Sequence, residues 1–350
     1  MSETEGLDDV AAPEQHGLLW GHESARLALL DRLDKRRLPG AVLLHGPQGI
    51  GKATLAFYVS RLIIAATGDE DAHRVDDQVA AGAHPNLFVL RRTLNKAGTK
   101  LSTVITVDQV ARRPDGDRHP LRDRLHQTRG RAGHRIAIID SIDDCNSAAA
   151  NALLKILEEP PADTTFFLIS HRPGQLLPTI KSRCHSLGLR PLADADVRAV
   201  LASQRPDLAS DQSERAVRLA GGRPRRAFET LALGRDTALD ALQAWLTAPA
   251  AHPSSVHVKL AEALGADAQS PEMSFARELL SDWLAGEAHA AALQPAARYR
   301  LASANALWDK AQALLAEADS INLDAKQTLV AIFDAIRRHI ETTTPVSIEP

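Results

Sequence analysis

Residues 45–56 read HGPQGIGKATLA, and Gly46, Gly51 and Lys52 within them follow the phosphate-loop pattern G-x-x-x-x-G-K-[ST] up to its last position. The chemistry this spacing can do is anion binding. Glycines let successive backbone N–H groups turn inward, the helix that follows adds its positive end, and a lysine reaches the outer phosphates. Gly46, Gly49, Gly51 and Lys52 supply those parts. The hydroxyl expected after the lysine is missing: Ala53 stands there, and a methyl group cannot coordinate the magnesium that accompanies a nucleotide. Thr54 comes one residue later, about 100° further round a helix, where its hydroxyl points elsewhere.

A nucleotide site of this kind has a second half, an aspartate at the end of an apolar strand that holds the magnesium through water. Asp140 in RIAIID (135–140) fits it. In hydrolysing proteins of the AAA+ class, which this arrangement resembles, a glutamate comes next and orients the attacking water, whereas this chain has Ser141. Asp143 and Asp144 lie beyond the strand and read as caps of the following helix rather than as a replacement base. Phosphoryl transfer is catalysed mainly by positioning and charge stabilisation, so losing both groups costs on the order of several kcal/mol of barrier.

These residues need a frame to hold them. AVLL (41–44), HRIAIID (134–140) and TTFFLIS (164–170) read as buried strands. GKATLAFYVSRLIIAA (51–66) and NSAAANALLKILEE (146–159) read as the helices between them, the second capped by Asn146 and stopped by Pro160 and Pro161. That alternation implies a parallel sheet covered on both faces. Shorter strands are expected at 86–90 and 103–107, and an amphipathic helix at 22–38. Past residue 192 the pattern predicts helices at about 194–204, 211–220 and 225–233. Long Ala/Leu-rich helices follow over 236–342, with Trp245, Trp283 and Trp308 as core rather than base-stacking residues. The expected fold is an α/β P-loop AAA+ domain, followed by a small helical lid and a C-terminal all-helical domain. The expected boundaries are a disordered tail at 1–18, the P-loop domain at 19–191, the lid at 192–235 and the helical domain, a collar for oligomerisation, at 236–345.

The run IDSIDDCNSAAANALLKILEEPPADTTFFLISHRPGQLLPTIKSRCHSLGLRPL (139–192) closely resembles the delta-prime subunits of the bacterial DNA polymerase III clamp loader. Supporting matches are GHESA, GPQGIGKATLA, HPNL (84–87), ITVDQV (105–110) and AGGRPRRA (220–227), and together they span most of residues 20–230. The resemblance implies a three-domain subunit acting in DNA replication, with gamma/tau and delta subunits as partners. Through that complex it would reach the sliding clamp and primed DNA. It also implies that the Ser182-Arg183-Cys184 motif presents Arg183 as an arginine finger to ATP bound on the neighbouring subunit. By the same resemblance Ser170, with His171 beside it, and Arg226, just after Pro224, stand where the two sensors of the γ-phosphate sit. ATP or ADP is then expected at most in a weak or vestigial site, with negligible turnover by the isolated chain. Many such subunits bind zinc through four cysteines between the phosphate loop and the Asp140 strand; this interval holds none, so zinc is not expected. The competing readings are a hydrolysing subunit of the gamma/tau type, which Ala53 and Ser141 oppose, and a small-molecule P-loop kinase, which the helical domains and the Ser-Arg-Cys motif oppose.

Composition bounds the rest. The chain has 350 residues, 44% hydrophobic and 24% charged, which suits two or three globular domains of roughly 150 residues each. A net charge of −3 gives no overall field for nucleic acid. Residues 91–135 nevertheless hold twelve Lys or Arg against four Asp, an excess of eight, which reads either as a phosphate-contacting block or as a solvated loop. Two cysteines, Cys145 and Cys184, are too few for a disulfide framework. The polar N-terminus and the lack of any apolar run of about 18 residues suit a cytoplasmic protein with no membrane contact.

Overall fold

The computed structural model describes residues 7, 10–94, 100–111, 120–126, 132–234, 237–293, 298–321 and 324–343. They fall into two compact units, 1–232 and 233–350. The first is built on five strands, β1 (Ala41–His45), β2 (Leu87–Arg91), β3 (Arg135–Asp140), β4 (Thr164–Ser170) and β5 (His185–Gly188), in the order β2-β3-β4-β1-β5. All neighbours run parallel.

Parallel strands joined by helical crossovers are covered on both faces, and the inner strands here are buried at every residue of β3 and β4. Alternation divides them between two cores. Val42, Leu44, Ile136, Ile138, Phe167 and Ile169 pack with α1 (Glu23–Asp34), α2 (Lys52–Gly68) and α3 (Ala72–Ala80). Leu43, Ala137, Ile139, Phe166 and Leu168 face the other way, onto a layer that includes α4 (Val107–Val110), α5 (Leu121–His126), α6 (Ser147–Glu158) and α7 (Pro178–Lys181). Helix α6 starts where the Asn146 side chain accepts from Ala149 N–H at 2.8 Å, a standard N-cap bond. Three further helices complete the unit: α8 (Asp194–Gln204), α9 (Ser210–Ala220) and α10 (Pro224–Ala232), with Val197, Leu201, Val217 and Phe228 at their centre.

Three features depart from the sequence reading. The stretch 103–107 is not a strand: Ile105 makes a single bridge to Cys145, and the chain turns into α4 where Thr106 N–H donates to Gln109 Oε1 at 3.0 Å. Its β-branched run reads as a strand until that turn intervenes. Edge strand β5 is legible only in three dimensions, because HSLG is short and half exposed and carries little apolar signal. Residues 10–18, expected as part of a disordered tail, lie against the P-loop unit, and residues 1–6, 8 and 9 of that tail lie outside the described residues. Arg61 of α2 donates to the backbone carbonyls of Glu14 and His16, and Arg91 of β2 grips the Glu14 carboxylate. A polar segment is held here by charge-assisted bonds to residues far away in the chain, which local composition cannot reveal.

The same holds for the basic block. Arg91 pairs with Glu14, Arg92 with Asp144 at 3.4 Å, Arg124 lies over the Phe88 ring, and the buried Arg135 donates to Leu125 O. Arg91, Arg92 and Arg135 are held within the fold, whereas Arg124 stays exposed on the Phe88 ring. Lys96, Arg112, Arg113, Arg118, Arg129 and Arg131 lie outside the described residues.

The second unit contains α11 (Thr237–Thr247), α12 (Ser254–Leu264), α13 (Pro271–Ala292), α14 (Arg298–Ile321) and α15 (Ala325–Thr343), with no strand among the described residues. Trp245 is 1% exposed and packs against Phe333 with ring centroids 4.9 Å apart. Trp283 and Trp308 are half-buried, and the Trp283 Nε1–H donates to Leu246 O at 2.8 Å. Among the described residues no helix is long and apolar enough to cross a membrane.

Candidate functional site

The phosphate loop joins β1 to α2 and turns on glycines with positive φ, +80° at Gly49 and +94° at Gly51. At Gly49 a side chain is excluded twice over, by that φ and because a Cβ would lie 2.8 Å from Arg225 Cβ. Gly46 N–H donates to Ser170 O at 3.3 Å and Leu189 N–H to His45 O at 2.7 Å, so the loop is anchored to β4 and to the chain leaving β5. From above, Arg225 N–H donates to Gly49 O at 3.3 Å. At the side, the His22 ring meets Ile50 O at 2.7 Å. The loop is thus clasped between the segment before α1 and the start of α10.

Lys52 is fully buried, and its ammonium donates to Gly46 O at 3.0 Å and Pro47 O at 2.5 Å. The charge lies folded into the loop that it would share with a phosphate. Beside it, His45 has its pKa held below the ordinary value, first by burial and then by the Lys52 charge. A small cavity of about 70 Å³ opens next to the loop, lined by Trp20, Ile50, Gly51, Thr54, Leu192 and Phe228 among others. Its walls are mainly apolar and end at the glycine loop and the N-terminus of α2.

The groups for metal and water are arranged differently. Ala53 is buried and offers no oxygen. Asp140, buried at the end of β3, faces the Arg91 guanidinium at 3.9 Å. Ser141 is fully buried. Asp143 does not cap α6, as the sequence suggested, because Asn146 does that. Its carboxylate accepts instead from Ser170 Oγ at 2.9 Å and from His171 N–H at 2.5 Å, which fixes the end of β4. Asp144 faces Arg92. Among the described residues no three His, Cys, Asp or Glu side chains are grouped to hold a metal ion. At position 53, where a hydroxyl would meet a metal ion, the loop offers only a methyl group.

Arg226 is 2% exposed inside α10, whereas Arg225 lies on the loop and pairs with Glu229 at 2.6 Å. Sequence reasoning singled out Arg226 and passed over Arg225, as well as His22, Trp20, Glu14 and Arg91. AGGRPRRA contains both arginines, and only the helix phase separates them.

Arg183 is remote from this pocket in its contacts. It follows α7 and its side chain is 34% exposed. Its guanidinium donates to Glu158 Oε1 at 2.8 Å and to Thr179 O at 3.0 Å. Cys184 and Cys145 both have raised pKa values. Burial pushes Cys184 up to about 11, and burial with the Asp144 and Asp143 charges pushes Cys145 up to about 12. A raised thiol pKa leaves about one part in 10⁴ or less as thiolate at pH 7. Both thiols are expected to react with a disulfide reagent at pH 7 roughly a hundredfold more slowly in the native chain than in denaturant. Fast native labelling of either would contradict this placement.

Residues 21–193 match the protein family described as DNA polymerase III, delta subunit. The delta-prime subunit of DNA polymerase III from Pseudomonas aeruginosa is 37% identical over 188 residues, covering 53% of this chain and 53% of that one. The gamma/tau subunit from Mycobacterium tuberculosis is 30% identical over 217 residues, covering 60% of this chain and 35% of that one. Among solved structures, Thermotoga maritima RuvB aligns with 94% of this chain and 91% of its own at 19% identity and a TM-score of 0.44. The chain spans about half the length of the delta-prime relative that it matches.

Proposed function

We propose, on the premise that residues 21–193 belong to the DNA polymerase III delta-subunit family, that this chain is a delta-prime-type clamp-loader subunit that completes a neighbour's ATPase site. The observation that carries the proposal is a contrast within one molecule. Its own loop lacks a magnesium-binding oxygen at Ala53 and a water-orienting carboxylate at Ser141, while Arg183 stands at the surface with a guanidinium that can leave Glu158 for another anion. A planar, permanently charged group of this kind stabilises charge on the γ-phosphate during transfer. Glu158 and Thr179 hold it in a defined orientation until then.

In this reading residues 192–235 form a lid over the loop and residues 236–345 a collar that holds the complex together. The partners are gamma/tau and delta subunits, and through them the sliding clamp and primed DNA. Gly46, Gly49, Gly51, Lys52 and Thr54 would surround any ATP or ADP that the chain holds, supplying backbone donors and one ammonium. Ser170 is committed to Asp143, so as a sensor it would act by reporting on that carboxylate. Arg225, lying on Gly49, joins Arg226 as a candidate lid contact.

Two measurements test the reading. Co-expression with gamma/tau and delta subunits should yield a stable complex; a self-assembled ring would overturn it. Purified chain alone should turn over ATP no faster with magnesium than without it. A hydrolysing subunit of the gamma/tau type, the competing reading, would show magnesium-dependent turnover at about 1 s⁻¹ or more.

A further inference from the structure

The sequence marked Asp140 as a carboxylate for magnesium, and the structure gives that carboxylate a different neighbour. Arg91 and Asp140 are register partners on the adjacent strands β2 and β3. Their side chains emerge on the face that carries α2, and Arg91 Nη2 lies 3.9 Å from Asp140 Oδ2. The guanidinium is fixed from two further sides. Glu14 accepts from Nη1 at 3.0 Å and from Nη2 at 3.2 Å, a fork that sets the plane of the group, and the Phe57 ring lies 6.0 Å away. Burial alone would push the Arg91 pKa down, but the bonds and charge of Glu14 and the charge of Asp140 outweigh it and raise it. Arg91 is therefore a permanent cation at this position.

We infer that Arg91 is the built-in counter-cation of Asp140, so that the phosphate loop of this chain operates without a divalent metal. Magnesium needs near-octahedral oxygen ligands and keeps its own waters. At this loop it would find no hydroxyl at Ala53 and would meet a fixed guanidinium beside Asp140. The Arg91 guanidinium offsets part of the Asp140 charge from within the fold, and Glu14, its closer bidentate partner, holds it there. This goes beyond loss of hydrolysis. It assigns a role to Arg91 and to the N-terminal segment, and it makes phosphate binding independent of metal. The inference rests on reading Asp140 as the carboxylate of the nucleotide pocket.

The test is a titration of the full chain with Mn²⁺, read by the loss of the free-ion electron paramagnetic resonance signal. Wild-type chain and Asp140→Asn should be indistinguishable, with and without ADP. Arg91→Met leaves Asp140 and Glu14 facing each other and should gain a Mn²⁺ site at least tenfold tighter, which Asp140→Asn in the same background removes. A wild-type site that disappears on Asp140→Asn overturns the inference, and so does a folded Arg91→Met chain with no new site. Should Arg91→Met fail to fold, the comparison of wild type with Asp140→Asn decides alone. All arms use the isolated chain. A chain that passes them yet does not assemble with gamma/tau subunits would sink the clamp-loader reading and leave this inference standing.

Discussion

Replacing Arg183 by alanine is expected, on the proposed finger role, to leave the subunit folded and assembled while cutting ATP turnover at a neighbouring site by about 10³-fold or more. The folded state loses little, because Arg183 is paired with Glu158 at the surface, and such pairs contribute about 0–1 kcal/mol after solvent screening. The transition state loses a charge that has no substitute. Lysine should rescue poorly, since its compact ammonium cannot reproduce two parallel donors held in one plane. Glu158→Gln is the informative companion. It releases the guanidinium from its resting partner, so turnover should stay near wild type or rise, whereas a purely structural Arg183–Glu158 bridge would make the two variants behave alike. The measurement is DNA-stimulated ATPase of the reconstituted complex, with assembly checked by gel filtration. Unchanged turnover in Arg183→Ala would remove the arginine finger from the account.

The second large effect concerns the helical unit. Trp245→Ala is expected to destabilise residues 233–350 by about 3–5 kcal/mol, the range for removing a large aromatic from a packed core. Trp245 is 1% exposed, lies 4.9 Å from the Phe333 ring and 6.0 Å from the His257 ring, and joins helices α11, α12 and α15. Domains are stable by only about 5–15 kcal/mol, so such a loss consumes a large part of the total. If this unit is the collar of the complex, assembly with gamma/tau and delta subunits fails with it. Trp245→Phe should cost far less, because it keeps most of the volume and removes an indole N–H that has no partner among the described residues. The check is the urea midpoint of each variant at constant slope. A shift corresponding to less than about 1 kcal/mol for Trp245→Ala would mean that the site repacks.

Much of the frame could be read from residue order. The strands at 41–45, 135–140 and 164–170 carry apolar runs long enough to need burial on both faces, and helix α6 announces its start with Asn146 and its end with two prolines. Gly46, Gly51 and Lys52 identify a phosphate loop because backbone conformation and residue type are tied together there. Short-range rules suffice where the physical cause lies within a few residues. They fail at β5, whose four residues form a strand only because β1 offers an edge, and at 103–107, where a local turn overrides β propensity.

What the sequence by itself determined is a set of residue types at fixed spacings. A P-loop, an aspartate at a strand end, a Ser-Arg-Cys motif, alanine where a hydroxyl is expected and serine where a carboxylate is expected are all matters of residue identity. Tertiary structure alone decided which charges meet. Asp143 holds the end of β4 instead of capping α6, Arg225 lies on the loop, and Glu14 and Arg91, 77 residues apart, lock a cation against Asp140. The physical reason is that burial and charge pairing depend on distance in space, and chain folding brings together groups whose spacing along the chain carries no trace of the encounter.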